Sequence, residues 1–302
     1  MVAKFSYNIG LFFLKRYCAM SSSPLTTVLP TMPFLCALES LGVVRVDGPD
    51  RQKFLQGQLT CDVNALLPGT HLTGASCNPQ GRVRAFFHLL ADDEAIYLVI
   101  PATMIAPFLD AIKKYAAFFK TKLNDVSSDY RVIGLVGEQR PLAGISAALH
   151  YDEQRRLVLQ TASEPAPENT QPARYWQLLD IDQKVPTIVP ENSEKLLPHH
   201  INLAQIGTVN FKKGCYTGQE IIARMEFRGT PKTHLQKGLV KAEDLKIGQE
   251  ITSGDRAEGE LVTIVPLGDG RQAVLCTVND AALSSDLRVS SESLPILELV
   301  DR

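Results

Sequence analysis

Polar and apolar positions alternate over Gly42-Val43-Val44-Arg45-Val46-Asp47, which predicts a strand, and Gly48-Pro49-Asp50 then opens a helix that turns Phe54 and Leu55 inward. A second strand is expected from Ala95 to Ile100. From Ala102 to Phe119 the spacing becomes helical, with Met104, Ile105, Phe108, Leu109, Ile112 and Tyr115 on one face and Pro107 bending the first turn. Arg131 to Val136 and Leu157 to Thr161 read as strands flanking a helix near Ala143 to His150, and Ser163 to Asn169 reads as an exposed loop. After Pro231 the pattern shortens to strands split by turns: Gln236 to Val240, Glu260 to Pro266, Gln272 to Val278 and Leu294 to Val300. Gly268-Asp269-Gly270 is a hairpin signal between the second and third of these. The pattern predicts a mixed α and β body followed by a small terminal β-barrel.

One segment stands out. Thr217-Gly218-Gln219-Glu220 fits a capping box, so a helix is expected to begin there, with Ile221, Ile222 and Met225 as its apolar stripe. Gly229 and Pro231 end it, and Arg224 and Arg228 share one face. Cys215 precedes the helix, where the positive end of the dipole and Lys212 and Lys213 favour a reactive thiolate. Lys212, Lys213, Arg224, Arg228 and Lys232 outnumber Glu220 and Glu226, which suits an anionic ligand or an RNA backbone. The same residues fit a plain tight turn at Gly214 and Gly218 with a packed cysteine and solvated basic side chains. Spacing leaves both open.

Composition narrows the classes. A chain of 302 residues, 45% hydrophobic and 21% charged, is long enough for two or three domains with full cores. A net charge of -2 gives no global attraction to nucleic acid. Cys18, Cys36, Cys61, Cys77, Cys215 and Cys276 form no C-x-x-C pair and no zinc spacing, which fits a reducing compartment, and all but Cys215 read as small buried hydrophobes. His199-His200 reads as a loop pair and not as a metal site. The apolar run Ile9 to Leu14 is too short for a membrane span and lacks a cleavage site. Residues 1–31 are expected to form a disordered leader. A transit peptide is the alternative, because Lys4, Lys15 and Arg16 precede the first acid at Glu39. There is no G-x-S-x-G elbow, H-E-x-x-H pair, phosphate-cradling glycine loop or DNA-reading module.

Lys213-Gly214-Cys215-Tyr216-Thr217-Gly218-Gln219-Glu220, with Ala223-Arg224 and Phe227-Arg228-Gly229 after it, resembles the signature of the YgfZ proteins. Phe54 to Val63 and Cys77-Asn78-Pro79-Gln80-Gly81-Arg82 resemble the N-terminal segments of that family, so the similarity runs over residues 34 to 302. It implies an α+β fold: a folate-binding body like the aminomethyltransferase T-protein, with a C-terminal small β-barrel. The expected divisions are the leader at 1–31, a body at 32–230 built of two interleaved subdomains, the second about 126–172, and a barrel at 231–302.

The resemblance further implies tetrahydrofolate, or a derivative, as cofactor. The implied role is that of an accessory protein supporting assembly or repair of iron-sulfur enzymes and thereby tRNA modification. Its partners would be folate and iron-sulfur enzymes or assembly factors, its effect on tRNA indirect, its state monomeric, away from membranes, and its location cytoplasmic, with the mitochondrion as alternative. Of two aromatic positions associated with folate, Trp176 matches one, offering a flat surface for a pterin, and Leu41 occupies the other. Asn202 is placed to bond a pterin edge or to cap a turn. The motif residues Lys213, Gly214, Cys215, Tyr216, Gly218, Gln219, Glu220, Arg224 and Arg228 form the other implied site. There Cys215 would act as a reactive thiol or touch a transient iron-sulfur cluster whose other ligands come from elsewhere. The T-protein's catalytic aspartate aligns with Ala85, so aminomethyl transfer is not expected. Two other functions compete: an aminomethyltransferase-like enzyme using Asp62 or Glu220, and a direct tRNA-binding module using Lys212, Lys213, Arg224 and Arg228.

Overall fold

The computed structural model describes residues 24–68, 70–137, 144–152, 154–291 and 293–300. Residues 1–23 of the expected leader lie outside the described residues. Residues 24–31 depart from a free leader: Leu25 is fully buried, and Val28 and Leu29 pack on the same core. Three apolar side chains in eight residues lose water-exposed surface there, which offsets the entropy of ordering a short segment.

The chain runs through β1 (Phe34–Ala37), β2 (Leu41–Asp47), α1 (Arg51–Gln58), β3 (His71–Cys77), β4 (Val83–Ala91), β5 (Ala95–Pro101) and α2 (Ala102–Ala116). It continues with β6 (Lys122–Asp125), β7 (Tyr130–Val136), β8 (Ile145–His150), β9 (Arg155–Thr161), α3 (Arg174–Asp182) and α4 (Gln219–Arg228). The last strands are β10 (Thr233–Val240), β11 (Glu250–Ser253), β12 (Arg256–Pro266), β13 (Gln272–Asn279), β14 (Arg288–Val289) and β15 (Leu297–Val300). Three antiparallel sheets result, in the orders β3-β4-β5-β2-β6, β1-β7-β9-β8 and β14-β11-β12-β13-β10-β15.

The first sheet is covered on both faces. On one, α1 and α2 deliver Phe54, Leu55, Met104, Phe108 and Ile112 onto Ala85, Phe87 and Leu89 of β4. On the other, Val43, Leu90 and Val99 meet Val132, Leu157 and Leu159 of the second sheet together with Trp176 and Leu179 of α3. The opposite side of α3, through Leu178 and Ile181, joins Phe86, Tyr216 and Ile222 to Leu235, Val262 and Leu275 of the terminal sheet. Burial on both faces explains why β4 shows no polar alternation in the sequence.

The expected helix near residues 143–150 is instead β8, which pairs with β9 from Ile145↔Gln160 to His150↔Arg156; Ala143 lies outside the described residues. Alanine-rich local propensity is worth only tenths of a kcal/mol per residue, and a strand ladder on an open sheet edge overrides it. Pro107 lies inside α2 as expected. The Gly268-Asp269-Gly270 turn joins β12 to β13, both glycines at positive φ. The terminal sheet curls until its two ends touch through a bridge between Arg288 and Ile296. Among the described residues no helix is long and apolar enough to cross a membrane.

Candidate functional site

Where the two body sheets, α3 and the segment after it meet, two adjoining cavities of about 320 Å³ each open, sharing Phe86, His88, Tyr151 and Val185 as walls. This volume lies at the lower end of what small-molecule sites occupy. The first cavity is completed by His71, Thr73, Arg155 and Ile206, the second by Leu41, Trp176, Asp180 and Pro186.

A turn builds its polar wall. The Asp152 carboxylate accepts from the backbone N–H of Gln154 and of Arg155, closing the connection from β8 to β9. That turn aims Arg155 inward, where its side chain is 3% exposed. Its Nε donates to Asp152 at 2.5 Å and its Nη1 to Asp180 at 2.7 Å. Asp180 arrives from α3, one helical turn after Trp176, so both face the cavity. The guanidinium sits over the rings of Tyr151, 4.4 Å from the centroid, and Trp176, 4.9 Å. Burial pushes the Asp180 carboxyl up, with Arg155 and the Tyr151 hydroxyl pulling it back down. Because a guanidinium in this setting stays protonated, the cluster carries two carboxylates against one fixed cation.

His88 lies on the cavity face of β4 beside Phe86, 9% exposed, with its ring 4.7 Å from that of Tyr151. Its Nδ1 is buried with no hydrogen-bond partner. Burial, with His71 and Arg155 adding to it, pushes its pKa down to about 3, so the imidazole is neutral.

Leu41 and Trp176, far apart in sequence, line the same cavity. Trp176 is nevertheless no open platform. It is 3% exposed, with Gly134 so close that a Cβ there would lie 2.3 Å from the ring, Arg155 over it and Tyr151 edge-on at 4.9 Å. Asn202 is not among the cavity-lining residues; at φ 67 it donates its amide to the Lys184 carbonyl, the turn-capping alternative. Ala85, the position that aligns with the T-protein's catalytic aspartate, is fully buried among Phe87 and Leu89 on the far face of β4, and Phe86 is the neighbour that faces the cavity. Strand alternation makes a shift of one position decisive. Asp62 is occupied as well, accepting from Gln56 Nε2 and the Asn64 amide.

The motif builds a separate place, away from the cavity-lining residues. The capping box does not form: Gly218 takes the cap position at φ 85 with no side-chain bond, and the Thr217 amide donates to Gly57. The reason is close packing, since a Cβ on Gly218 would meet the Asn78 carbonyl at 2.5 Å. Lys213 does not reinforce Cys215 either. Its ammonium donates to the carbonyls of Gln56, Leu59 and Cys61, each at 2.7 Å, closing the end of α1. Burial pushes this lysine down to about 8, with Cys61 and Asp62 opposing. Tyr216 is buried, whereas Gly214, Cys215, Glu220, Arg224, Arg228 and Lys212 are exposed and Gln219 half-buried. Cys36, Cys61, Cys77 and Cys276 are buried, leaving Cys215 as the exposed thiol among the described cysteines. His199 is buried and bonds Glu226 of α4 at 3.1 Å. Among the described residues no group of three or more metal-binding side chains occurs.

The cavity's polar residues Tyr151, Asp152, Arg155, Asp180 and His88 were missed in the sequence. Their one legible signal is the turn chemistry of Asp152; the rest depends on which strand faces which.

The fold and its central cavity define a protein of aminomethyltransferase architecture: the crystal structure of the glycine cleavage system aminomethyltransferase T from Bartonella henselae superposes with a TM-score of 0.69 at 11% identity, over 92% of this chain and 87% of that one. An uncharacterized protein of Haemophilus influenzae is 33% identical over 218 residues, 71% of this chain and 77% of its own. A Yersinia pestis protein named tRNA-modifying protein YgfZ is 29% identical over 317 residues, 93% of each chain. No family model matches the chain. On these relatives and the motif, the chain belongs to the YgfZ family.

Proposed function

We infer that this protein binds a reduced folate in the twin cavities and serves as an accessory protein to tRNA modification. Leu41 and Trp176 lining one cavity, in an aminomethyltransferase fold, carries the reading. The tRNA side is supported by the Yersinia pestis relative, tRNA-modifying protein YgfZ. A ligand there meets an apolar slot formed by Leu41, Val99 and Pro186, the edge of Trp176, and the acceptor-rich wall of Asp180 and Tyr151. It does not stack on an open indole face.

The finer role is support of iron-sulfur enzymes, with exposed Cys215 at the working surface and Lys213, Tyr216 and Gly218 as the frame that presents it. Arg224, Arg228 and Lys212 add positive charge around that thiol for a partner of opposite sign.

Titration with tetrahydrofolate, followed by the fluorescence of Trp176, the only tryptophan, tests the reading. Saturable change, weakened by Leu41→Arg, is expected. A flat titration with no heat of binding in calorimetry removes folate from the account.

A further inference from the structure

We propose that His88 is the specificity residue of the cavity, a neutral hydrogen-bonding group that reads an N–H or O–H edge of the ligand where the two cavities join. The proposal rests on the folate reading above and names the side chain that makes its polar contact.

Three observations converge. His88 lines both cavities, so any ligand that spans them passes it. It is 9% exposed, and its Nδ1 is buried without a partner, a state that leaves a polar group's desolvation uncompensated. The Phe86 ring, at 5.5 Å between centroids, and the Tyr151 ring, at 4.7 Å, both pack on the imidazole, and neither residue bonds its Nδ1. A half-turn about Cβ–Cγ exchanges Nδ1 with the ring carbon Cδ2 without moving the backbone, so the nitrogen is not held by the fold where it has no partner.

The surroundings set the chemistry. Arg155, Asp152 and Asp180 satisfy one another, so the charged groups of the wall are already engaged. His88 is a wall residue common to both cavities whose buried ring nitrogen has no partner. As a neutral imidazole it presents one lone pair and one N–H on different sides of the ring, so one of them can meet a single donor or acceptor of the ligand, and a reduced pterin carries both kinds. A purely apolar guest would leave it unpaired. His71 and Arg155 are the charged or titratable groups that press on it, and both favour its neutral form.

The test compares the full-length wild type with His88→Leu and His88→Gln. Tetrahydrofolate affinity is read from Trp176 fluorescence and calorimetry, and the ligand-free Tm is recorded for each. His88→Leu is expected to raise Kd about tenfold or more, the factor that one lost hydrogen bond to a buried group commands. His88→Gln, whose amide again offers donor and acceptor, is expected to recover much of that loss. Because Nδ1 has no partner to lose, the ligand-free Tm of His88→Leu should be unchanged or higher.

Wild-type binding with the same Kd in His88→Leu overturns this proposal and leaves the folate reading standing. A lowered ligand-free Tm in His88→Leu makes the residue a structural one and also overturns it. A wild type that binds no tetrahydrofolate overturns both readings.

Discussion

Gly81 and Gly218 pack directly on each other: a Cβ built on Gly218 would lie 3.1 Å from the Gly81 Cα, and both residues hold positive φ, at 75° and 85°. The β3–β4 turn and the start of α4 therefore meet backbone to backbone, and Lys213 ties the same junction to α1. The three stretches that resemble the family are thus one structural knot.

Gly218→Ala is expected to cost more than about 2 kcal/mol, because left-handed strain adds to a clash with backbone that cannot yield. Gly57→Ala in α1, where an added Cβ meets nothing within 4 Å, should instead stabilise by about 0.5–1 kcal/mol. Urea unfolding of the two variants side by side checks the contrast.

Replacing Lys213 by Met keeps the aliphatic stem and removes three donors from the carbonyls of Gln56, Leu59 and Cys61. A loss of about 2–4 kcal/mol is expected from the half-buried acceptors left open. Such a variant would lose function through the fold, and its Tm would show it before any activity assay.

Arg155→Leu leaves Asp152 and Asp180 facing each other without a cation, and should destabilise by about 3–5 kcal/mol. Adding Asp180→Leu should return part of that loss, since it removes one of the two stranded charges. A double-mutant cycle by chemical denaturation measures the coupling.

His88 has a folded pKa of about 3 against 6.5 in its ordinary state. From pH 6.5 down to about 3 the unfolded chain binds a proton that the folded chain refuses, so stability falls as pH falls through that window. The slope approaches about 1.4 kcal/mol per pH unit for this one group. His88→Leu abolishes its share, so the gap in Tm between variant and wild type should widen from pH 7.5 to pH 5.

In a Cys18→Ser background, Cys215 should be the one thiol that reacts quickly with a chromogenic disulfide, the other four being buried. Cys215→Ser should leave stability within about 0.5 kcal/mol, as exposed substitutions do. Loss of a cellular iron-sulfur activity in that variant would then report on the thiol itself.

Local pattern was enough for β2, α1, α2, the Gly268-Asp269-Gly270 turn and the strand-rich C-terminal part, because periodicity and turn chemistry act within a few residues. It misread β8, where pairing with β9 outweighed propensity, and it left the face of Ala85 open, because β4 is apolar on both sides and carries no phase. The motif was conspicuous as sequence, yet only the fold showed that Lys213 and Gly218 brace three segments while Cys215 stays exposed. The cavity was decided by tertiary structure, with only Leu41 and Trp176 among its walls indicated by resemblance. His88, Asp152, Arg155 and Trp176 come from two sheets and a helix, and ordinary-looking residues become a site only when long-range packing shuts out water and leaves their polar groups to settle accounts with one another, or with a ligand.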